Sequence, residues 1–324
     1  VTVLVTGAAG FVGYHVAEAL LARGERVLGL DNLNGYYDVA LKQARLGRLL
    51  GHAGFRFAQV DVADRAAVAE AIAGEPIDRI VHLAAQAGVR YSMVDPYAYV
   101  AANVMGHVVM LEAARRLPKL RHFVYASSSS VYGGNVSLPF SEADRVDTPQ
   151  SVYAATKRAD ELLSYAYGHL YHIPQTGLRF FTVYGPWGRP DMAYYSFARA
   201  IVAGEPITLY DCGALRRDFT FIDDIVLGVL GILDRPPPPG TAGRVLNIGN
   251  NQSETVSALV ALLEQGLGRR ALIRHAERPA ADVAETFASI DEIAALTGFA
   301  PATPLAEGIP RFVAWFRAFH GVAA

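Results

Sequence analysis

Val1-Thr2-Val3-Leu4-Val5-Thr6-Gly7-Ala8-Ala9-Gly10-Phe11-Val12-Gly13 opens the chain. Six apolar or β-branched residues read as a buried strand. Three glycines spaced by two residues follow, and a helical pattern begins at Phe11. Glycine permits positive φ and lets a ligand approach the backbone, and the N-terminus of the helix beyond stabilises negative charge. Strand, glycine loop and helix in that order predict a cradle for the pyrophosphate of a dinucleotide. A glycine-rich turn without a ligand is the alternative, and the rest of the chain argues against it.

Working outward, short apolar runs alternate with amphipathic ones. Val1–Thr6, Arg26–Asp31, Phe55–Asp61, Arg79–Ala84, His122–Ser128 and Thr176–Thr182 read as strands. Several lack strict alternation, as expected of a parallel sheet buried on both faces. Phe11–Arg23, Asp64–Ala73, Pro96–Arg116 and Ser151–Tyr171 read as the helices between them. The class predicted is α/β, a doubly wound parallel Rossmann-type sheet with a smaller C-terminal mixed α/β lobe for substrate. The expected division is 1–179 for the dinucleotide domain, with 220–248 returning to it, and 180–219 with 249–324 for the second lobe. Later helices are expected at Met192–Ala203, Ile222–Leu233, about 255–267 and about 305–319, with a strand at Val245–Ile248.

The 324-residue chain has a formal net charge of −2, with 52% hydrophobic and 19% charged residues. Nucleic acid and anionic membrane are therefore not expected partners. Cys212 is the one cysteine, which precludes an intrachain disulfide or a thiolate metal cage. The nine histidines are scattered, and no metal is expected. No apolar run approaches membrane-spanning length and no signal peptide precedes Val1, so the expected location is the cytoplasm.

Asp31 ends the second strand, where a carboxylate accepts from the adenosine ribose and repels a 2′-phosphate; NAD is expected over NADP. Asn32 follows it. Asp61 and Val62 end the third strand, where Asp61 either meets the adenine or caps the next helix. Leu83, Ala84 and Ala85 end the fourth with side chains small enough to leave room for the cofactor. Together with Gly7, Gly10, Phe11, Val12 and Gly13 these form the expected NAD site.

Ser127-Ser128-Ser129-Ser130-Val131-Tyr132-Gly133 ends the fifth strand, and Tyr153-Ala154-Ala155-Thr156-Lys157 lies on the helix after it. Tyr153 and Lys157 are four apart and share a helix face, and the ammonium favours the phenolate. A tyrosine so tuned is a general base, and Lys157 also reaches the nicotinamide ribose.

With these residues the chain resembles the extended short-chain dehydrogenase/reductase family of nucleotide-sugar enzymes over nearly its whole length. Within that family it is most similar to UDP-glucuronate 4-epimerases. The segments Asp31-Asn32-Leu33-Asn34-Gly35-Tyr36-Tyr37-Asp38 and Gly185-Pro186-Trp187-Gly188-Arg189-Pro190-Asp191-Met192-Ala193 carry the narrower likeness. Ala84–Ser92 and Arg217–Asp224 carry the wider one.

The resemblance implies NAD, a UDP-sugar substrate and a homodimer built on the helices at about 96–116 and 151–171. It makes Ser128, Tyr153 and Lys157 the catalytic set and puts Phe181 on the nicotinamide, although a core aromatic reads equally well. Ser129 and Ser130 then face the sugar, where related dehydratases and decarboxylases carry an acid. Tyr153, bridged by Ser128, takes the C4 hydroxyl proton as hydride leaves for NAD; the 4-keto sugar turns over and is reduced on its other face. The 4-keto uronate is a β-keto acid that loses CO2 when its carboxylate stands perpendicular to the carbonyl plane. Arg189 is the expected two-point clamp against that loss, helped by Ser129, Ser130 and Thr182. Each charge-assisted bond contributes about 1.5–3 kcal/mol, enough to shift partitioning tenfold or more. Arg217 and Arg278 are expected at the diphosphate, Arg90 at the sugar or diphosphate, and Asp282 at the uridine ribose; the segment Arg278–Asp282 lacks the glycine the family shows before that aspartate. A UDP-hexose 4-epimerase and a UDP-glucuronate decarboxylase remain as alternatives, and a non-catalytic dinucleotide sensor as a third.

Overall fold

A computed structural model of the chain describes residues 1–278 and 283–322. Its centre is a seven-stranded parallel sheet formed by β1 (Thr2–Thr6), β2 (Arg26–Asp31), β3 (Phe55–Gln59), β4 (Ile77–His82), β5 (His122–Ser128), β6 (Gln175–Phe180) and, later in the chain, β11 (Arg244–Ile248). The spatial order is β11-β6-β5-β4-β1-β2-β3, so the strand order reverses between β1 and β4. Ligands of doubly wound sheets bind at the carboxyl ends beside such a reversal. Every residue of β1 is buried, which explains why its sequence is apolar without alternation.

One face of the sheet carries α1 (Phe11–Ala22), α2 (Val39–Leu50) and α8 (Ile222–Leu233), with α1 packed on both α2 and α8. The other carries α3 (Arg65–Ala71), α4 (Pro96–Tyr99), α5 (Gly106–Ala114) and α6 (Val152–Tyr171). Between α4 and α5, Val100–Met105 is wound as a π-helix, so the one long helix expected there is interrupted. The interruption lies where Asn103 is used: its Nδ2 donates to Gln86 O and Thr156 Oγ1, and its Oδ1 accepts from Gln86 N at 2.7 Å. This ties the loop after β4 to α6, one residue from Lys157.

Beyond β6 lie β7 (Thr182–Tyr184), α7 (Ala193–Ala203), β8 (Pro206–Tyr210), β9 (Arg216–Arg217) and β10 (Phe219–Phe221). After β11 come β12 (Glu254–Thr255), α9 (Val256–Leu267), β13 (Leu272–Ala276), β14 (Glu285–Thr286), α10 (Asp291–Thr297) and α11 (Leu305–His320). These make small sheets of two or three strands, with α9 packed on both α7 and α11. An aromatic cluster of Tyr194, Tyr195, Phe312, Trp315 and Phe316 joins α7 to α11.

Other sequence expectations change as well: the strands expected over Phe55–Asp61 and Arg79–Ala84 are Phe55–Gln59 and Ile77–His82. The strand expected over Thr176–Thr182 stops at Phe180, and Thr182 begins β7, which pairs with β10 instead. α2 went unanticipated, although Asp38 caps it through Ala40 N. Asp64, not Asp61, caps α3, accepting from Ala66 N and Ala67 N. Among the described residues no helix is long and apolar enough to cross a membrane, and no group of three acidic, His or Cys side chains is placed to hold a metal ion.

Candidate active site

β1 ends at Thr6 and the chain turns at Gly7, whose φ of +70° suits glycine. A Cβ at Gly7 would stand 2.9 Å from Ala84 N, and one at Gly13 only 2.0 Å from Gly7 O. The glycines thus hold α1 tight against the loop. Gly10 begins that helix without any side-chain cap, which leaves its first-turn N–H groups to an anion. At the end of β2, Asp31 accepts from Ala9 N and Leu33 N. A carboxylate has about four lone-pair sites, so capacity for ribose hydroxyls remains. Asn32 donates to Asp61, whose other oxygen accepts from Ala63 N.

Gly7, Gly10, Phe11, Val12, Gly13, Asp31, Asn32, Asp61, Val62, Leu83, Ala84, Ala85, Tyr153, Lys157 and Phe181 all line one cavity of about 450 Å³. All the residues expected at the cofactor are therefore brought together, and they fit a dinucleotide. Phe181 serves both readings: it is 6% exposed, belongs to the core and still forms cavity wall.

The chemical groups come from β5 and α6. Ser128 closes β5, and its hydroxyl accepts from Ser130 N at 3.2 Å, starting the tight turn through Tyr132. Ser127 turns instead to the interior and donates to Glu161 at 2.6 Å. Ser151 caps α6 through Ala154 N, which fixes the first turn and with it Tyr153. Lys157 is 4% exposed and donates from Nζ to Ala126 O (3.0 Å) and to Asp160 Oδ2 (3.1 Å). Burial pushes the Asp160 carboxyl up to about 6 although Lys157 pulls the other way. Among the described residues Asp160 Oδ1 has no hydrogen-bond partner.

Of the residues expected at the substrate, Ser128, Ser129, Ser130, Thr182, Arg189 and Arg217 line the same cavity. Arg189 is paired through Nε to Asp191 Oδ1 at 3.0 Å and through Nη2 to Oδ2 at 2.5 Å. Burial works against the guanidinium charge, and Asp191 outweighs it, raising Arg189 above its ordinary value. Arg217 also donates to Arg216 O at 2.7 Å. Arg90 and Arg278 are not in the cavity wall: Arg90 stacks over Tyr210, 5.0 Å from its centroid, and Arg278 stands 3.8 Å from Asp211. Asp282 lies outside the described residues. Asp224 accepts from Ala302 N and Thr303 N at the start of α8, while Asp223 pairs with Arg311.

Sequence reasoning passed over Asn34, Tyr36 and Lys42, which also line the cavity. Lys42 is 5% exposed and donates to Asn34 O and Asn34 Oδ1. Its position on the unanticipated α2, following Asp38, is the signal that would have found it.

A glycine-cradled dinucleotide cavity that also holds a serine, a tyrosine and a lysine defines an NAD-dependent enzyme of alcohol–ketone chemistry. More particularly, the chain belongs to the NAD dependent epimerase/dehydratase family, which residues 3–249 match. It is 44% identical to a probable UDP-glucuronate 4-epimerase of Rhizobium meliloti (strain 1021), over 97% of this chain and 96% of that protein. It is 46% identical to UDP-glucuronate 4-epimerase 1 of Arabidopsis thaliana, over 99% of this chain and 78% of that one. Its fold is similar to UDP-glucuronic acid 4-epimerase from Bacillus cereus, solved with UDP-glucuronic acid and NAD: TM-score 0.90, 33% identity, 98% of this chain and all of that chain.

Proposed function

We propose that this enzyme inverts C4 of UDP-glucuronate to give UDP-galacturonate through a transient 4-keto sugar. The observation that carries this reading is the composition of one cavity wall. Ser128, Tyr153 and Lys157 share it with Arg189, Ser129, Ser130 and Thr182, while its acids among the described residues, Asp31 and Asp61, stand at the dinucleotide end. A carboxylate substrate is thus met by cationic and hydroxyl groups, and no described acid is offered to its C5 proton.

NAD, when bound in the glycine cradle, supplies a reversible two-electron acceptor for C4. Tyr153 withdraws the C4 hydroxyl proton and later returns it, and Ser128 holds that oxygen. Lys157 is kept in place by Ala126 O and Asp160, on the same helix as Tyr153 and one turn further along. Arg189, Ser129, Ser130 and Thr182 hold the carboxylate, so that the C5–carboxyl bond is kept from aligning with the C4 carbonyl. Residues 180–219 and 249–324 form the nucleotide-sugar lobe in this reading, with Arg217 nearest the diphosphate.

A homodimer belongs to the same proposal. Val94, Tyr97, Val100 and Met105 on one segment, and Leu162, Tyr165 and Leu170 on α6, are exposed apolar side chains, each at least half exposed. Large apolar stripes of this kind mark association surfaces. We place the enzyme in the cytoplasm, in keeping with its lone cysteine. The Tyr153→Phe variant tests the mechanism: turnover of UDP-glucuronate is expected to fall by at least about 100-fold with NAD still bound. Full activity in that variant removes Tyr153 from the chemistry.

A further inference from the structure

The two segments that carry the narrower likeness, Asp31–Asp38 and Gly185–Ala193, lie far apart in sequence yet meet at Arg189. Asp191 takes the whole Nε–Nη2 edge of that guanidinium. Tyr36 donates from its hydroxyl to Asp191 Oδ2 at 3.2 Å. Tyr36 reaches Asp191 only because residue 88 is glycine: a Cβ there would stand 2.5 Å from the Tyr36 hydroxyl, and Gly88 has a φ of +100°.

The backbone of the Arg189 loop is fixed as firmly. Arg45, fully buried on α2, donates from Nε and Nη2 to Trp187 O, from Nη2 to Gly188 O, and from Nη1 to Ala9 O and the Tyr37 hydroxyl. An arginine has five N–H donors, and all are used. The Arg189 loop is thereby tied to the glycine loop through Ala9 and to the Asp31–Asp38 segment through Tyr37. Arg189 forms cavity wall and Asp191 does not, although their side chains are similarly exposed at 22% and 26%. Among the described residues Asp191 occupies the Nε–Nη2 edge, which leaves the Nη1–Nη2 fork to the cavity that Arg189 lines.

We propose that Asp191, seated by Tyr36, is a positioning residue for substrate specificity. It locks the Nε–Nη2 edge of Arg189 and turns the other fork, Nη1–Nη2, toward the sugar carboxylate. This rests on the UDP-glucuronate reading above. It also refines the two-point clamp, because the side-on fork is already taken and the end-on fork is the one that serves substrate. Asp191 gives up some net positive charge at the clamp in exchange for a fixed guanidinium plane, and that plane matters when the carboxylate must be kept out of one orientation.

The side reaction held in check is the loss of CO2 from the 4-keto uronate. The C5–carboxyl bond breaks, its electron pair enters the C4–C5 enolate, and a proton added at C5 leaves a 4-keto pentose. A loosened Arg189 is expected to raise this loss relative to epimerisation.

The experiment supplies UDP-glucuronate labelled with ¹³C at the carboxyl carbon to wild type, Asp191→Asn and Tyr36→Phe. The ratio of labelled CO2 to UDP-galacturonate is read for each, with KM and kcat beside it. The expected ratio rises about tenfold in Asp191→Asn, the loss of one charge-assisted contact, and by a smaller factor in Tyr36→Phe. A purely structural weakening lowers total turnover and leaves the ratio unmoved. A ratio within twofold of wild type in both variants overturns the inference alone. A lower KM at unchanged ratio does the same, because it makes Asp191 a competitor for the clamp. A wild type that leaves UDP-glucuronate untouched overturns the proposed function and this inference with it.

Discussion

Replacing Glu161 with glutamine removes the charge at the centre of a buried network, and the structure sets the size of the loss. Glu161 and Arg179 are each 3% exposed. Glu161 accepts from Arg179 Nε (2.8 Å) and Nη2 (3.0 Å), from Arg158 Nη1 (3.0 Å) and from Ser127 Oγ (2.6 Å). Arg179 Nη1 passes the chain to the Tyr132 hydroxyl, which donates to Asn247 Oδ1. Burial opposes ionisation of Glu161, but Arg179 outweighs it and holds the carboxyl below its usual range.

Glutamine keeps one acceptor oxygen and leaves Arg179 a buried cation without its counter-charge. Breaking a buried pair from one side costs about 3–5 kcal/mol. The retained oxygen puts Glu161→Gln near the lower end, about 3 kcal/mol. Urea denaturation of Glu161→Gln, Glu161→Leu, Arg179→Met and the double variant Glu161→Leu/Arg179→Met reads the loss and the coupling. The double variant is expected to recover most of it, since apolar replacement of both partners leaves no fully buried charge unpaired; Arg158, which also loses Glu161, is partly exposed. Ser127 also loses its carboxylate acceptor beside Ser128, so kcat is expected to fall even where Glu161→Gln stays folded. A loss under about 1 kcal/mol in Glu161→Gln, or a double variant no better than either single one, refutes the reasoning.

Asp160, pushed up to about 6 from 3.8, binds its proton more tightly when folded, so its ionisation withdraws stability as pH rises between those values. The stability of wild type relative to Asp160→Asn is expected to fall by about 2 kcal/mol from pH 4 to pH 6, read by denaturation at each pH. His82 and His122, driven by burial down to about 3 and about 4, act the other way and weaken the whole protein as pH falls below 6.5 in both variants. Gly13→Ala places a Cβ 2.0 Å from Gly7 O, a backbone atom that cannot step aside, and overpacking of about 1–3 kcal/mol is expected to weaken NAD binding about tenfold by calorimetry. Leu162→Glu with Tyr165→Glu, both exposed on α6, is expected to convert a dimer to monomer by light scattering, with the far-ultraviolet spectrum unchanged.

Local spacing made much of this legible. The Gly7-Gly10-Gly13 loop and the Tyr153–Lys157 pair are short-range patterns, and each sits on the element its spacing implies. Most of the expected cofactor residues converge because they follow the ends of strands of the same sheet, and a parallel sheet brings those ends to one edge. Long-range pairing was less legible. Thr182 continues an apolar run yet leaves the main sheet, because β10, nearly forty residues later, is its partner. α2 was obscured by the basic residues between its apolar positions, among them Lys42 and Arg45, which are buried only because Asn34 and the Arg189 loop accept from them. A conspicuous Arg189 did not announce Asp191 as its partner, and three arginines looked alike until the cavity admitted Arg217 and left out Arg90 and Arg278.

The central claim is that C4 inverts while the carboxylate survives. Carbon-13 NMR of purified enzyme with UDP-[6-¹³C]glucuronate, without and with added NAD, tests it directly. The account predicts UDP-galacturonate with the label still at its carboxyl carbon. Labelled CO2 beside a UDP-pentose or its 4-keto form, or a spectrum that does not change, contradicts it.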